Sequence, residues 1–428
     1  MIRHLAGSVQ SSAPMRRWLL ALTCAALAAG CDAAPGDAPG DATTAELDAG
    51  ADAAPDAAEP GGEVRGVWIT RFAYSSRAGL EAIIDRAAAA GMNAVFVQIR
   101  GEGDAYYRSA HEPWAKRLTG VLGRDPGWDP LRVAIDRAHG HGMELHAYFN
   151  VFSAWPTAQP LTVAEGTVQH ALYAHPEWLA VDSTGTNRDS EYRWFSPGNP
   201  ALRAHIVATA RDLLTGYEVD GLHLDRVRTA GADYSHDAVS QAAFDAARVD
   251  DPQLTWSLFM RAQVDAMVAD LYATVEAVRP RARMSAAVWG IYRPLPGCNT
   301  SQGLANYHQD SLGWLAAGTM DALVPMIYWP IEPGACTDWA TLLDGFVAAR
   351  GARHVWAGMH ALDDNAWDFD QVRARVEYAR AAGAHGTVVF ASTYLDAVPA
   401  RWDAYVGTPE LPGPFAAPSP VPRMAWKD

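Results

Sequence analysis

Short apolar runs rich in β-branched and aromatic residues alternate with amphipathic helical patterns from Glu63 onward. Eight of these runs are predicted to be strands: residues 64–72, 94–101, 144–152, 221–228, 283–290, 322–329, 354–360 and 386–392. Strands that alternate with helices pair in parallel, because each helix carries the chain back along the sheet. Eight such units predict an α/β fold, the (β/α)8 TIM barrel.

The competing fold is an open, doubly wound sheet. Such sheets carry a glycine-rich phosphate-binding turn after the first strand, whereas residues 70–73 here read Thr-Arg-Phe-Ala. Two connections are unusually long: residues 153–198 after the third strand and residues 229–253 after the fourth. Both leave the C-terminal ends of strands, so we expect long β3-α3 and β4-α4 loops that build the active face.

The first thirty residues are predicted to be a lipoprotein signal peptide. An apolar run at residues 18–29 follows two arginines and is too short to span a bilayer as a mature helix. It ends in Leu-Ala-Ala-Gly before Cys31, which we expect to be lipidated. The alternative is a secretory signal with an incidental cysteine. The first interpretation places the protein in the bacterial cell envelope, periplasmic or on the cell surface, with the lipid anchor as its sole attachment to the membrane.

Composition divides the rest of the chain. Residues 31–62 are dominated by Ala, Asp, Pro and Gly, so we expect a disordered tether there. The barrel is predicted over residues 63–410, followed by a C-terminal tail at 411–428. The formal net charge of the chain is −15 at pH 7, without a basic stripe, so nucleic acid is not an expected partner.

The four cysteines predict one disulfide bond. Cys24 lies in the predicted signal peptide and Cys31 is the predicted lipidation site, which leaves Cys298 and Cys336. In an oxidising compartment these two are expected to pair. Neither belongs to a CxxC motif or has a neighbouring histidine, so no metal site and no cofactor are predicted.

Residues 219–228, Val-Asp-Gly-Leu-His-Leu-Asp-Arg-Val-Arg, contain the most informative strand. Side chains alternate along a strand, so the two leucines share the helix-facing side while His223 and Asp225 share the side toward the barrel axis. A carboxylate on the axis is costly to bury, except where water reaches it at the C-terminal mouth of the barrel. Asp225 is therefore the first catalytic candidate. The alternative is an ion pair with Arg228 or Arg100 that only supports the barrel.

Several motifs occur in a recognisable order. They are Arg65-Gly66-Val67-Trp68, residues 91–100, Gly103-Asp104-Ala105-Tyr106-Tyr107, Asp129-Pro130-Leu131, residues 138–143, residues 146–150, residues 196–200, residues 220–225 and Pro325-Met326-Ile327-Tyr328-Trp329. Together they resemble glycosyl-hydrolase-like family 10, barrel proteins once catalogued as a domain of unknown function. The resemblance spans nearly all of residues 63–395. It implies hydrolysis of a cell-envelope glycan such as peptidoglycan strands. Some members carry an aspartate or a tyrosine where this chain has Arg226.

Glycoside hydrolysis uses two carboxyl groups, an acid and a nucleophile or base. The carboxylates near predicted strand ends are Glu102, Asp104, Asp225, Glu332, Asp363, Asp364 and Asp396. We favour Asp225 as nucleophile or base. The acid stays open between Asp104, which matches the family motif, and Glu332, on the loop with Cys336. Either could instead be a solvated loop carboxylate, and strand five ends without an acid.

Aromatic and polar side chains near the strand ends are candidates for sugar binding, because flat rings stack on the apolar faces of sugars. The candidates are Trp68, Arg100, Tyr107, His146, Asn150, His223, Trp289, Tyr328 and Trp329. The alternative for the aromatic residues is ordinary core packing, and for the histidines a structural hydrogen bond.

The predicted function is thus a glycoside hydrolase with a glycan substrate. One alternative is a non-catalytic glycan-binding envelope lipoprotein, which the missing acid on strand five keeps open. Another is a metal-dependent hydrolase using His146, His223 and Asp225, although the first strand lacks the HxH pair with which such barrel sites begin.

Overall fold

The computed structural model describes residues 62–187, 189–362 and 366–427. The predicted signal peptide, Cys31 and nearly all of the predicted tether lie outside these residues, as do Asp363 and Asp364. Within the described residues, no helix combines the length and the apolar character needed to cross a bilayer.

A closed barrel of eight parallel strands forms the centre of the molecule, as predicted. The strands are β1 Val64–Ile69, β2 Ala94–Arg100, β3 Glu144–Asn150, β4 Gly221–Asp225, β5 Arg283–Trp289, β6 Ala322–Met326, β7 His354–Val355 with Ala357–His360, and β8 Gly386–Phe390. Each strand pairs with the next, and β8 pairs with β1 to close the ring. Most of these strands end two or three residues before the predicted position.

Helices cover the outside of the barrel. The longer ones are Arg77–Ala89, Pro130–Gly140, Pro200–Gly216, Ala238–Asp250, Trp256–Val278, Ser311–Ala316, Trp339–Ala348 and Phe369–Ala381. Short helical turns occur at Lys116–Thr119, Ala171–Ala174, Pro176–Trp178, Gly303–Asn306, Ser392–Asp396 and Ala400–Asp403. The Asn199 side chain caps the helix after the long third loop by accepting from the backbone N–H groups of Ala201 and Leu202.

The two long connections have structure of their own. In the first, strands Ser153–Pro156 and Tyr192–Trp194 form an antiparallel hairpin that buries Trp155 and Trp194. In the second, the helix Ala238–Asp250 starts at Asp237, whose carboxylate accepts two backbone N–H groups of the first turn. Both connections follow the C-terminal ends of strands, so they stand around the barrel mouth, the opening at those ends.

Alternation along each strand divides the apolar residues into two clusters. One fills the space between strands and helices, and both Leu222 and Leu224 belong to it. The other fills the barrel interior with Val64, Trp68, Ala94, Phe96, Tyr148, Ala287, Ala322, Val324, Trp356 and Val388. The lower barrel is therefore a packed core, and the described interior opens toward solvent at the mouth.

Residues 411–427, predicted as a tail, close the base of the barrel. Met424 is fully buried in the interior cluster, and the Trp426 indole donates to Asp321, which precedes β6, at 2.6 Å. Near the start of β1, the backbone N–H of Glu63 donates to the carbonyl oxygen of Pro420 at 3.0 Å. The first and last parts of the described chain therefore meet at the base.

A disulfide bond joins Cys298 and Cys336, which confirms the predicted pairing. Their Cα atoms are 5.7 Å apart and lie on the loops that follow β5 and β6. Because neighbouring strands place these loops side by side, the bond ties two segments of the mouth together.

Removing this disulfide is expected to lower the free energy of unfolding by about 2–4 kcal/mol, because its 38-residue loop no longer restricts the unfolded chain. The measurement is urea denaturation of the Cys298→Ala/Cys336→Ala double variant beside the parent protein. Mass spectrometry of the non-reduced parent supplies the control. Two free thiols at these positions would contradict the assignment.

Candidate active site

Asp225 is the last residue of β4 and points toward the barrel axis at the mouth. The interior face of this strand carries Gly221, His223 and Asp225, while Leu222 and Leu224 face the helices and are fully buried. Asp225 remains 8 % exposed. The predicted division of this strand into two faces is confirmed.

Two hydrogen bonds hold the Asp225 carboxylate. The Tyr148 hydroxyl donates to Oδ2 at 2.6 Å, and the backbone N–H of Arg226 donates to Oδ1 at 2.6 Å. Arg226 has a φ of 52°, a left-handed conformation that turns the chain at this point and ends the strand. Two donors on one carboxylate fix its orientation.

Asp225 makes no ion pair within the described residues, so the structural alternative proposed for it from the sequence is wrong. Arg100 instead pairs with Glu112, and no nitrogen of Arg228 lies within 4.0 Å of the Asp225 oxygens. Arg226 and Arg228 lie near enough to interact with the charge of Asp225, but neither forms an ion pair with it.

Tyr148 is the main site residue that the sequence reasoning missed. Its position could have been found, because it lies between His146 and Asn150 on the same face of β3. Burial raises the pKa of Tyr148 well above its ordinary value, and the neighbouring Asp225 carboxylate raises it further. The phenol therefore keeps its proton and remains a donor to Asp225.

His223 and Trp68 lie below Asp225 in the closed interior. The Trp68 indole contacts Nε2 of His223 at 2.9 Å, and Nδ1 of His223 lies 2.8 Å from the Ser285 hydroxyl. Burial lowers the pKa of His223 well below its usual range, and His146 lowers it further, so the ring is neutral. Both His223 nitrogens are occupied by protein groups, and neither His223 nor Trp68 can reach a sugar.

His146 lies one layer deeper. Its ring stacks on Phe96 at 4.6 Å and meets Trp356 edge-on at 5.6 Å. A side chain at Gly221 would collide with this ring, which explains the glycine at the start of β4. His146, His223 and Asp225 occupy successive layers, and among the described residues no group of three or more potential ligands converges on a metal position.

Neither Arg100 nor Tyr107 faces the mouth. Arg100 is fully buried, donates to both carboxylate oxygens of Glu112 and to the carbonyl oxygens of Asn150 and Val151, and so supports the upper barrel. Tyr107 is fully buried against Tyr217, with ring centroids 5.6 Å apart.

Asn150 and three aromatic candidates lie at the mouth itself. Asn150 pairs with Asp225 in the strand register, and its amide donates to the Gly101 carbonyl oxygen at 3.0 Å. Tyr328 stacks on Phe390 at 5.3 Å and is partly exposed. Trp289 and Trp329 are also partly exposed, although both pack against the helix-side cluster.

Asp104 has the electrostatics of a proton donor. It is 3 % exposed, and its carboxylate accepts the backbone N–H of Glu102 at 3.0 Å. Burial raises its pKa to about 7, the negative charge of Glu102 adds to the effect, and Arg71 opposes it. Asp104 also borders a surface pocket together with Phe72 and Trp155.

Glu332 contrasts with Asp104. It is exposed on the loop after β6, where its backbone N–H donates to Asp338 at 2.7 Å. Its carboxylate forms no hydrogen bond or ion pair with any described residue. Of the two acid candidates, Asp104 is therefore the one whose carboxyl group is buried and has a raised pKa.

A closed (β/α)8 barrel with a carboxylate at the end of β4 and aromatic residues at the mouth is an architecture that barrel glycoside hydrolases share. The sequence matches the model of the family "Glycosyl hydrolase-like 10" over residues 63–342. The chain belongs to this family, which confirms the resemblance seen in its motifs.

Two characterised relatives carry the name glycosyl hydrolase. YngK of Bacillus subtilis is 30 % identical over 294 residues, covering 63 % of this chain and 54 % of the relative. DigH of Escherichia coli K12 is 27 % identical over 258 residues, covering 57 % and 56 %. The aligned part of the chain thus spans about half the length of these relatives.

Solved structures agree on the fold. The glycoside hydrolase domain of PgaB from Bordetella bronchiseptica is 17 % identical with a TM-score of 0.55, over 79 % of this chain and 97 % of that domain. The catalytic domain of β-amylase from Paenibacillus polymyxa is 11 % identical with a TM-score of 0.52, over 77 % and 92 %. At these identities the likeness concerns the barrel alone.

Proposed function

We propose that this protein is a glycoside hydrolase that cleaves a cell-envelope or extracellular polysaccharide, with Asp225 as nucleophile or base. The observation that carries the proposal is the unpaired Asp225 carboxylate at the mouth, oriented by the Tyr148 hydroxyl and the Arg226 N–H. A carboxylate held in this way is suited to attack an anomeric carbon or to activate water. Membership of a glycosyl-hydrolase-like family supports the same reaction class.

The substrate class that we propose is a polymeric glycan, with peptidoglycan glycan strands as the first to test. Partly exposed Trp289 and Tyr328 offer flat surfaces on which sugar rings can stack. The predicted lipid anchor at Cys31 would hold the enzyme at a membrane of the bacterial envelope, close to such polymers.

Asp104 is proposed as the general acid. A raised pKa keeps its carboxyl group protonated near neutral pH, so it can give a proton to the leaving glycosidic oxygen. The loop that carries Asp104 follows β2, and only β3 separates β2 from β4 in the barrel.

The activity is expected to fall as pH rises through about 7, because Asp104 must be protonated to act as the acid. The measurement is the pH profile of kcat/KM on a polymeric substrate, and Asp104→Asn should remove the alkaline limb together with most of the activity. An aryl glycoside with a good leaving group needs little protonation, so Asp104→Asn should release the aryl group nearly normally in the first turnover. Glu332→Gln is the matched comparison. If Glu332→Gln lost the alkaline limb and the activity on the polymer, and Asp104→Asn did not, the general acid would be Glu332.

The direct test of the function is incubation of the purified protein, and of its Asp225→Asn variant, with peptidoglycan glycan strands freed of peptide and with a panel of other polysaccharides. New reducing ends from the parent and none from the variant are the expected result. Equal release by both proteins would contradict a role for Asp225.

A non-catalytic glycan-binding protein is the second candidate, and one observation favours it. β5 ends in Ala287-Val288-Trp289, without the carboxylate that many barrel glycosidases carry there. In this case the protein would bind glycan equally well with Asp225→Asn and would release no reducing ends from any polymer.

A further inference from the structure

Arg228, three residues after Asp225, lies among aromatic rings at the mouth. It is 9 % exposed, and its guanidinium carbon is 5.2 Å from the ring centroid of Trp194, 5.6 Å from Trp289 and 4.7 Å from Tyr307. These rings come from the hairpin in the third loop, from β5 and from the loop after β5. Three separate elements thus surround one cation.

The guanidinium has no carboxylate partner within the described residues. Nη1 donates to the Thr229 carbonyl oxygen at a long 3.4 Å, and Nε is buried without an acceptor. The adjacent Arg226 differs, because it pairs with Glu191 at 3.1 Å. Burial and the nearby charge of Arg226 lower the pKa of Arg228 to about 10, and the charges of Asp225 and Asp189 offset only part of this effect.

Three other buried arginines of this protein each have the carboxylate partner that Arg228 lacks in the described part of the chain. Arg71 pairs with Glu102, Arg100 with Glu112 and Arg283 with Glu144. A buried charge is costly unless it is paired, and stacking on aromatic rings offsets only part of that cost. Arg228 differs from these three arginines because no described carboxylate lies within ion-pair distance of its guanidinium.

We propose that the barrel mouth takes an acidic glycan and that Arg228 binds the anionic substituent of one sugar unit. The proposal rests on the proposed glycan-binding function and adds a substrate class to it. A carboxylate or sulfate oxygen would accept charge-assisted hydrogen bonds from the guanidinium while the sugar ring lies against Trp289. Repulsion from Asp225 places the anionic sugar beside the cleaved unit.

The test measures binding, so it does not depend on cleavage. Isothermal titration of full-length Asp225→Asn protein uses three matched pairs of oligosaccharides. They are peptide-free peptidoglycan tetrasaccharide and its carboxyl-reduced form, tetragalacturonate and its carboxyl-reduced form, and 6-sulfated chitotetraose and chitotetraose. At least one acidic member should bind about tenfold or more tightly than its neutral partner. The pair that shows the preference distinguishes carboxylate from sulfate.

Two added variants locate the effect. Arg228→Gln should abolish the preference while the neutral member of the pair binds as before. Arg226→Gln removes a cation that already has a partner, and it should keep the preference. Equal binding of the acidic and neutral members in every pair, or no binding at all, overturns the proposal. A preference for the acidic member that survives in Arg228→Gln also overturns it. So does a preference that Arg226→Gln loses to the same extent as Arg228→Gln. Because the first comparison needs no change at Arg228, misfolding of that variant would not rescue the proposal. Failure of the hydrolase proposal would show separately, as absent reducing ends.

Discussion

Replacing Asp225 with asparagine is expected to reduce glycan cleavage by about 10²–10⁴-fold, the usual contribution of a positioned acid–base or nucleophilic group. Asparagine has the same shape, and its amide oxygen can still accept from the Arg226 N–H while its NH2 group faces the Tyr148 oxygen, which then acts as the acceptor. The change therefore removes the charge and leaves a hydrogen-bond partner on each side of the side chain. Reducing-end release under substrate saturation is the measurement, with circular dichroism and the urea midpoint to verify the fold.

A matched control separates this effect from a general loss of acidic charge. Asp245 is exposed on the helix Ala238–Asp250, and Asp245→Asn should cleave as the parent does. Sodium azide added to Asp225→Gly tests the role more finely, because a small anion can replace a missing nucleophile. A glycosyl azide of inverted anomeric configuration, from an enzyme whose parent reaction retains configuration, would identify Asp225 as the nucleophile. Parent-like activity in Asp225→Asn would show that Asp225 has no catalytic role.

Loss of the Glu112 carboxylate should destabilise the fold by about 3–5 kcal/mol, because it leaves Arg100 buried and unpaired. Both side chains are fully buried, with Nε of Arg100 2.9 and 2.8 Å from the two Glu112 oxygens. The measurement is urea denaturation of Glu112→Ala at neutral pH. The control is the double variant Arg100→Met/Glu112→Leu, which removes both charges and should recover much of the lost stability. A single variant as stable as the parent would contradict this account.

The same pair predicts a pH dependence of stability. Burial alone would raise the pKa of Glu112, but Arg100 and His205 hold it at about 2, below its ordinary value of 4.5. A carboxyl group whose pKa is lower in the folded state stabilises the fold above the unfolded pKa, and this contribution is lost as the pH falls toward the folded pKa. The parent should therefore lose stability between about pH 4.5 and 2 more steeply than Glu112→Ala, as urea midpoints across that range would show.

The barrel could be predicted from the sequence because it depends on periodicity. Each strand carries its own alternation or apolar run, and β4 displays both faces within five residues. The hairpin of the third loop could not be predicted in the same way. Its strands Ser153–Pro156 and Tyr192–Trp194 are short, lie far apart in sequence and have no tight turn between them to indicate that they pair.

Site residues whose position depends on the alternation within a single strand could be predicted from the sequence. Residues whose role depends on a partner elsewhere in the chain could not. Asp225 follows from the alternation of β4, and Tyr148 would follow from the same argument on β3. Arg100 was misread as a sugar ligand because its partner Glu112 lies on an irregular loop twelve residues later. The lack of an ion-pair partner for Arg228 among the described residues could not be predicted either, because it depends on residues from several elements that only the fold brings together.

The meeting of residues 63 and 420 at the base has a practical consequence for handling the protein. Glu63 and Pro420 lie on the side opposite Asp225, joined by a hydrogen bond, and Met424 and Trp426 continue the packing at the base. A linker that leaves residues 421–427 in place can therefore connect the two ends on this side, with new termini opened elsewhere, as in a circular permutant. For the same reason the domain can be fixed to a bead or a sensor chip through either end with its mouth left open to long polymers.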